Sequence, residues 1–162
     1  MNKKFKVLVV EDELPLAMMM VHLLTHAGCD VEMAPTGRKG LELAQKIQFD
    51  LITLDIDLPD ANGFEICRQL KERQIYRDIP VVMISGRSLE ENMKQTMEVG
   101  AVDFISKPFD VAEYIFRIIS HLNAAAAASD VSNEDWDADS KNLPTSLLTG
   151  RWNQLSPVAA LA

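Results

Sequence analysis

Val7-Leu8-Val9-Val10-Glu11-Asp12 is a run of four apolar residues, three of them β-branched, that stops at two carboxylates. It follows a basic start (Lys3, Lys4, Lys6), but it is too short for the core of a signal peptide and reads as a first strand. Four more short runs follow, at 29–33, 50–54, 79–84 and 102–105. Four of the five are apolar almost throughout, as strands covered on both faces are. Helical patterns occupy 14–27, 37–47, 63–73 and 88–99 between them, and a last one at 110–122 follows the fifth run. In the first helix Ala17, Met20, Val21 and Leu24 form the expected core stripe, with Met19, His22 and His26 outward. In the last, Val111, Ile115, Ile118 and Leu122 share one apolar stripe. Gly28, Gly100 and Pro80 mark helix-to-strand joints. Alternating β and α units predict an α/β protein with a right-handed, doubly wound parallel sheet. Ligands of such sheets sit at the carboxyl ends of the strands, near the point where strand order reverses.

The 162 residues are 48% hydrophobic and 25% charged, which allows a full core and excludes wholesale disorder. Their net charge of −8 would repel a polyanion, so a nucleic-acid-binding surface is not expected. No apolar stretch reaches the roughly 18 residues of a membrane span. Cys29 and Cys67 make no metal-spaced cluster and suit a reducing cytosol as buried small hydrophobes. Composition changes after residue 122. Asn123 and five alanines lead into an acidic stretch with Asp130, Glu134, Asp135, Asp137 and Asp139, expected to be a flexible tail. The domain expectation is 4–123 for the folded unit and 124–162 for the tail. Within that tail, Leu147 to Leu155 is the one segment with amphipathic character.

The strand ends carry the chemistry. The first ends at Glu11-Asp12, the third at Asp55, the fourth at Ser85, and Lys107 lies two residues past the fifth. Each alone has an ordinary explanation as a helix cap, turn former or solvated charge. Together they put three carboxylates, a hydroxyl and an amine on one rim. Carboxylates are the hard oxygen ligands that Mg²⁺ prefers, and one beside the metal can act as a nucleophile toward phosphorus. A hydroxyl and an ammonium can hold the phosphoryl oxygens.

Four strings, in order and at matching spacing, resemble the receiver domain of two-component response regulators, of the CheY-like single-domain type. They are Val7 to Asp12; Leu54-Asp55-Ile56-Asp57-Leu58-Pro59 with Asn62-Gly63-Phe64-Glu65; Val81-Val82-Met83-Ile84-Ser85-Gly86; and Gly100 to Phe109. The resemblance covers about residues 4–122. It implies a flavodoxin-like (βα)5 fold with strand order 2-1-3-4-5. It also implies that Asp55 is the phosphoacceptor, fed by a histidine kinase or phosphotransfer protein. Glu11, Asp12, Asp55 and the backbone carbonyl of Asp57 would hold Mg²⁺. Lys107 would contact the phosphoryl group, and Ser85 would move to bond it. Phe104 would be the switch aromatic, packing inward when Ser85 engages phosphate, and Pro108 would follow a cis bond.

The resemblance further implies kinase docking on Glu13, Pro15, Leu16, Met19, Pro108 and Phe109. A downstream protein would bind the face formed by the fourth helix, fifth strand and fifth helix, where Phe116 belongs. The chain would be cytoplasmic, a monomer or a phosphorylation-dependent dimer. Two departures stand out: Gly86 where alanine is usual, expected to loosen the loop that carries Ser85, and the carboxylate of Asp57. The forty residues after 122 are too few for a winged helix or a cyclase domain, so output is expected through protein contact. Two alternatives stay open. One is a receiver scaffold that works without phosphorylation. The other is a haloacid-dehalogenase-type phosphatase using Asp55-Ile56-Asp57, against which its position on the third strand counts.

Overall fold

A computed structural model describes residues 4–132. Five strands, β1 (Lys6–Val10), β2 (Asp30–Ala34), β3 (Leu51–Asp55), β4 (Val81–Ser85) and β5 (Asp103–Ser106), form one parallel sheet in the order β2-β1-β3-β4-β5. Helices α1 (Leu14–His26), α2 (Gly37–Lys46), α3 (Gly63–Glu72), α4 (Leu89–Glu98) and α5 (Val111–Ser132) alternate with them, and a short 3-10 turn covers Gln74–Tyr76. The predicted doubly wound sheet is therefore the observed one, with strand limits displaced by one or two residues.

The pleat explains the two layers. Side chains alternate across a strand, so Leu8, Val10, Ile52, Leu54, Val81, Met83 and Phe104 join one core, completed by Ala44, Phe64, Ile66 and Leu70 from α2 and α3. Val7, Val9, Leu51, Val82, Ile84 and Ile105 join the other, completed by Met20, Leu24, Tyr114, Ile118 and Leu122 from α1 and α5. Edge strand β2 has less to cover and alternates instead, with Asp30 and Glu32 exposed.

One expectation for α5 is corrected. Val111 is 43% exposed, and the inward stripe runs through Tyr114, Ile118 and Leu122. The i, i+4 spacing from Tyr114 is as regular as that from Val111, and the larger ring takes the core position. Helix α5 also continues through the alanines to Ser132, as a run of the best helix former does. The acidic stretch beyond it and Leu147 to Leu155 lie outside the described residues.

Candidate functional site

Parallel register brings the strand ends level. Val10 pairs with Leu54, Asp55 with Ile84, and Ser85 with Ser106. The connection leaving β1 turns toward β2 and that leaving β3 toward β4, so a crevice opens between their carboxyl ends. Glu11 and Asp12 stand on one side of it and Asp55 on the other. Glu11 is pinned by its amide to the Ala34 carbonyl (3.0 Å), and Lys107 by its amide to the Ser85 carbonyl (2.7 Å). The Lys107–Pro108 bond is cis.

Glu11, Asp12 and Asp55 each bring one carboxylate oxygen to within 4.8 Å of the others. Glu11 and Asp55 are 1% and 4% exposed, an arrangement that needs positive charge. Lys107 supplies it, with Nζ 2.6 Å from Asp55 Oδ2, 2.8 Å from Glu11 Oε2 and 4.0 Å from Glu13 Oε1. The contact to Asp55 is an aligned hydrogen bond. Glu11 Oε2 has no aligned donor and is satisfied by charge alone. Burial, followed by the neighbouring Asp55 charge, pushes the Glu11 carboxyl above its ordinary value, although Lys107 opposes the shift. Burial also works against the Lys107 ammonium, but its bond to Asp55 and the adjacent Glu11 carboxylate prevail and raise its pKa. This donor set of hard oxygens, one of them buried without an aligned partner, fits a divalent cation such as Mg²⁺.

The turn after β3 is tight. Asp55 Oδ1 accepts the Asp57 amide (3.0 Å), and the Gly63 amide returns to the Ile56 carbonyl (2.8 Å). Asn62 caps α3 by accepting the Phe64 amide at 2.9 Å. Ser85 Oγ donates to Asp57 Oδ2 (3.3 Å) and accepts the Arg87 amide (3.1 Å). An open cavity of about 690 Å³ lies beside Asp55 and Asp57. All six expected docking residues, Glu13, Pro15, Leu16, Met19, Pro108 and Phe109, line it beside Asp12, Asp55, Asp57, Gly86 and Lys107.

The model of the response regulator receiver domain family matches residues 7–119. This chain belongs to that family. The response regulator ArlR of Staphylococcus saprophyticus is 41% identical over 117 residues, 72% of this chain and 52% of the relative. The DNA-binding dual master transcriptional regulator RpaA of Synechocystis is 34% identical over 135 residues, 80% of this chain and 56% of the relative. The chain thus spans about half the length of the curated relatives it matches. A CheY-like receiver domain protein of Methanospirillum hungatei superposes with a TM-score of 0.73 at 25% identity, covering 78% of this chain and 99% of that one. The chemotaxis regulator CheY4 of Vibrio cholerae gives 0.69 at 32%, covering 74% and 99%.

In this receiver domain the rim residues read from the sequence converge on one crevice. Phe104 is 2% exposed and turned into the core, and Ser85 Oγ bonds Asp57. Gly86 has no left-handed backbone and, among the described residues, nothing within 4 Å of a would-be Cβ, so no contact described there demands glycine. Sequence reasoning missed Arg87. Its guanidinium grips both carboxylate oxygens of Asp57, with Nε 3.2 Å from Oδ2 and the second nitrogen on Oδ1. The signal was available: Asp57 lies two past Asp55 and Arg87 two past Ser85, on adjacent parallel strands.

Proposed function

We propose that Asp55 accepts a phosphoryl group from a histidine kinase or phosphotransfer protein in a two-component relay. The single observation that carries this reading is the Lys107 ammonium 2.6 Å from the Asp55 carboxylate, inside the Glu11–Asp12–Asp55 cluster. An Asp55 oxygen attacks phosphorus as the N–P bond of phosphohistidine breaks. The bond's electron pair returns to the ring, which leaves as neutral imidazole when its other nitrogen carries a proton. Lys107, already at the acceptor oxygen, steadies charge on the incoming phosphoryl oxygens. Glu11, Asp12, Asp55 and the Asp57 backbone carbonyl would hold Mg²⁺, which supplies charge neutralisation between acceptor and phosphoryl group.

The cavity beside the site is apolar where Pro15, Leu16, Met19, Pro108 and Phe109 line it, which suits a docking helix of the donor. Phosphorylation would be read through Ser85 and Phe104 at the α4–β5–α5 face. There Phe116 is 72% exposed, and Asp103 is held by Arg117 (2.9 Å) and His121 (3.0 Å). Output runs through protein contact in this reading. DNA binding belongs to RpaA by its name, and residues 1–122 carry 14 basic against 19 acidic side chains, a balance that does not favour a polyanion. A cytoplasmic location accompanies the reading, with Cys29 and Cys67 both free thiols.

Incubating the chain with a radiolabelled phosphohistidine donor tests the proposal. Mg²⁺-dependent, hydroxylamine-labile label is expected, absent from Asp55→Asn. Label that survives in Asp55→Asn would move the acceptor elsewhere. If neither donor nor beryllofluoride produced any response, the phosphorylation-independent scaffold would be the correct reading.

A further inference from the structure

We propose that Arg87 is a gate on the phosphoacceptor site, closed by its ion pair with Asp57. The inference rests on the phosphoacceptor reading and adds the residue that regulates it. Asp57 sits on the cavity wall, and its carboxylate collects three donors: Arg87 through two guanidinium nitrogens, and the Ser85 hydroxyl at 3.3 Å. The Arg87 amide in turn donates to Ser85 Oγ at 3.1 Å. Loop 85–87 is thus fastened to the end of β3 through one side chain. The same residue's amide bonds the Asp55 carboxylate at 3.0 Å.

Two consequences follow from the closed pair. The first is electrostatic. A carboxylate beside Glu11, Asp12 and Asp55 would draw a divalent cation, and a planar guanidinium bound across both its oxygens cancels that pull. The second is steric and directional. The Ser85 hydroxyl proton is committed to Asp57, so the hydroxyl must turn away before it can bond a phosphoryl oxygen. Both partners are about half exposed, at 51% and 45%, so the closed state is shallow and readily opened. Cation entry and the Ser85 movement are therefore coupled through one ion pair, and screening by salt weakens the coupling.

Calorimetric titration of the full chain with Mg²⁺ alone tests the gate. Arg87→Gln should bind Mg²⁺ about two- to five-fold more tightly than the parent, the range that an exposed ion pair supports. The gain should shrink in 1 M salt. In an Asp57→Asn background the same Arg87→Gln change should give less than about 1.5-fold, because the gate acts through the pair. Beryllofluoride titration followed at the Ser85 and Phe104 amide resonances should saturate earlier in Arg87→Gln. Unchanged Mg²⁺ affinity in Arg87→Gln would overturn the proposal. So would an equal gain with and without the Asp57 carboxylate, which is the signature of a background charge. Circular dichroism on each variant separates either result from misfolding. If the parent takes label on Asp55 and Arg87→Gln changes nothing, the gate alone falls. If the cycle is non-additive but no donor labels the chain, the gate stands and the phosphoacceptor reading falls.

Discussion

Replacing Gly63 with alanine should damage this protein out of proportion to one methyl group. A Cβ at Gly63 would lie 2.1 Å from the Asp55 carbonyl oxygen and 2.7 Å from Ile56 Cα, both backbone atoms at the carboxyl end of β3. Neither can rotate away. Either α3 or the strand end must retreat by about 1 Å to reach an ordinary contact. Overpacking of that kind costs about 1–3 kcal/mol or more, and the ~1 kcal/mol that alanine gains over glycine in a helix offsets only part of it. The expected net loss is about 1–2 kcal/mol, in the upper part of the range because both clashing atoms are backbone. The amide of Gly63 also holds the Ile56 carbonyl, so the shift is transmitted to the acceptor. A 1 Å displacement of a reacting group lowers its rate by about 10²-fold. Urea unfolding measures the first effect and phosphoryl transfer at saturating Mg²⁺ the second. Gly86→Ala is the internal control: with no neighbour within 4 Å and no left-handed backbone, it should be neutral or stabilising by about 0.4–1 kcal/mol. If Gly63→Ala matched the parent to within about 0.5 kcal/mol and took phosphoryl groups as fast, the β3–α3 geometry described above would be wrong.

Two further outcomes follow from the structure. Burial raises the Glu11 carboxyl above its ordinary 4.5, so the folded chain holds that proton more tightly than the unfolded one. Its contribution to stability is present at low pH and is lost as pH rises through the raised value. Mg²⁺ needs the ionised form, so its affinity should fall on acidification, with proton release on binding that Glu11→Gln abolishes; calorimetry in buffers of different ionisation enthalpy reads this directly. Tyr76 is fully buried, and its hydroxyl lies 3.0 Å from the Ala44 carbonyl and 2.6 Å from that of Ile47, where α2 ends. Tyr76→Phe should therefore cost about 1–2 kcal/mol in urea unfolding with phosphorylation unaffected, and a loss below about 0.3 kcal/mol would show that those carbonyls find other partners.

The legible parts of this fold are those in which local pattern and tertiary demand agree. Runs such as Val7–Val10 and Val81–Ile84 are apolar on both faces, which admits only a central strand of a sheet covered twice. The carboxylates, hydroxyl and amine were readable because they stand at strand ends, where parallel register must bring them level. What escaped depends on contacts distant in sequence. Asp60 accepts the Gly37 and Arg38 amides from 22 and 23 residues away, so a loop after β3 caps α2 with no local mark of it. Arg87 looks like a solvated charge until Asp57 is placed opposite. Tyr114 is absent from the stripe read through Val111 because helical spacing alone does not say which of two overlapping rows takes the core; its ring is fully buried.

The charge balance around Asp55 explains why the proposed chemistry needs a cation rather than merely tolerating one. Five carboxylates, Glu11, Asp12, Glu13, Asp55 and Asp57, face two cationic side chains, Lys107 and Arg87. Converting the acceptor carboxylate to an acyl phosphate replaces one negative charge with about two. Lys107 cannot absorb that change unaided, since it already serves both buried carboxylates. To follow the phosphoryl oxygens it must loosen its hold on Glu11, and a buried carboxylate left alone is costly. Glu11, Asp12 and Asp55 would hold a divalent cation, whose charge would offset the loss of Lys107 from Glu11 and leave the ammonium available to the new group. In the proposed chemistry, metal and phosphoryl group would therefore favour each other through Lys107, and linkage would make the effect reciprocal. Lys107→Met separates the two roles: Mg²⁺ should still bind, more tightly than in the parent, while phosphorylation at Asp55 should fall by about 10²-fold or more. Loss of Mg²⁺ binding in that variant would mean that the lysine builds the metal site instead of competing with it.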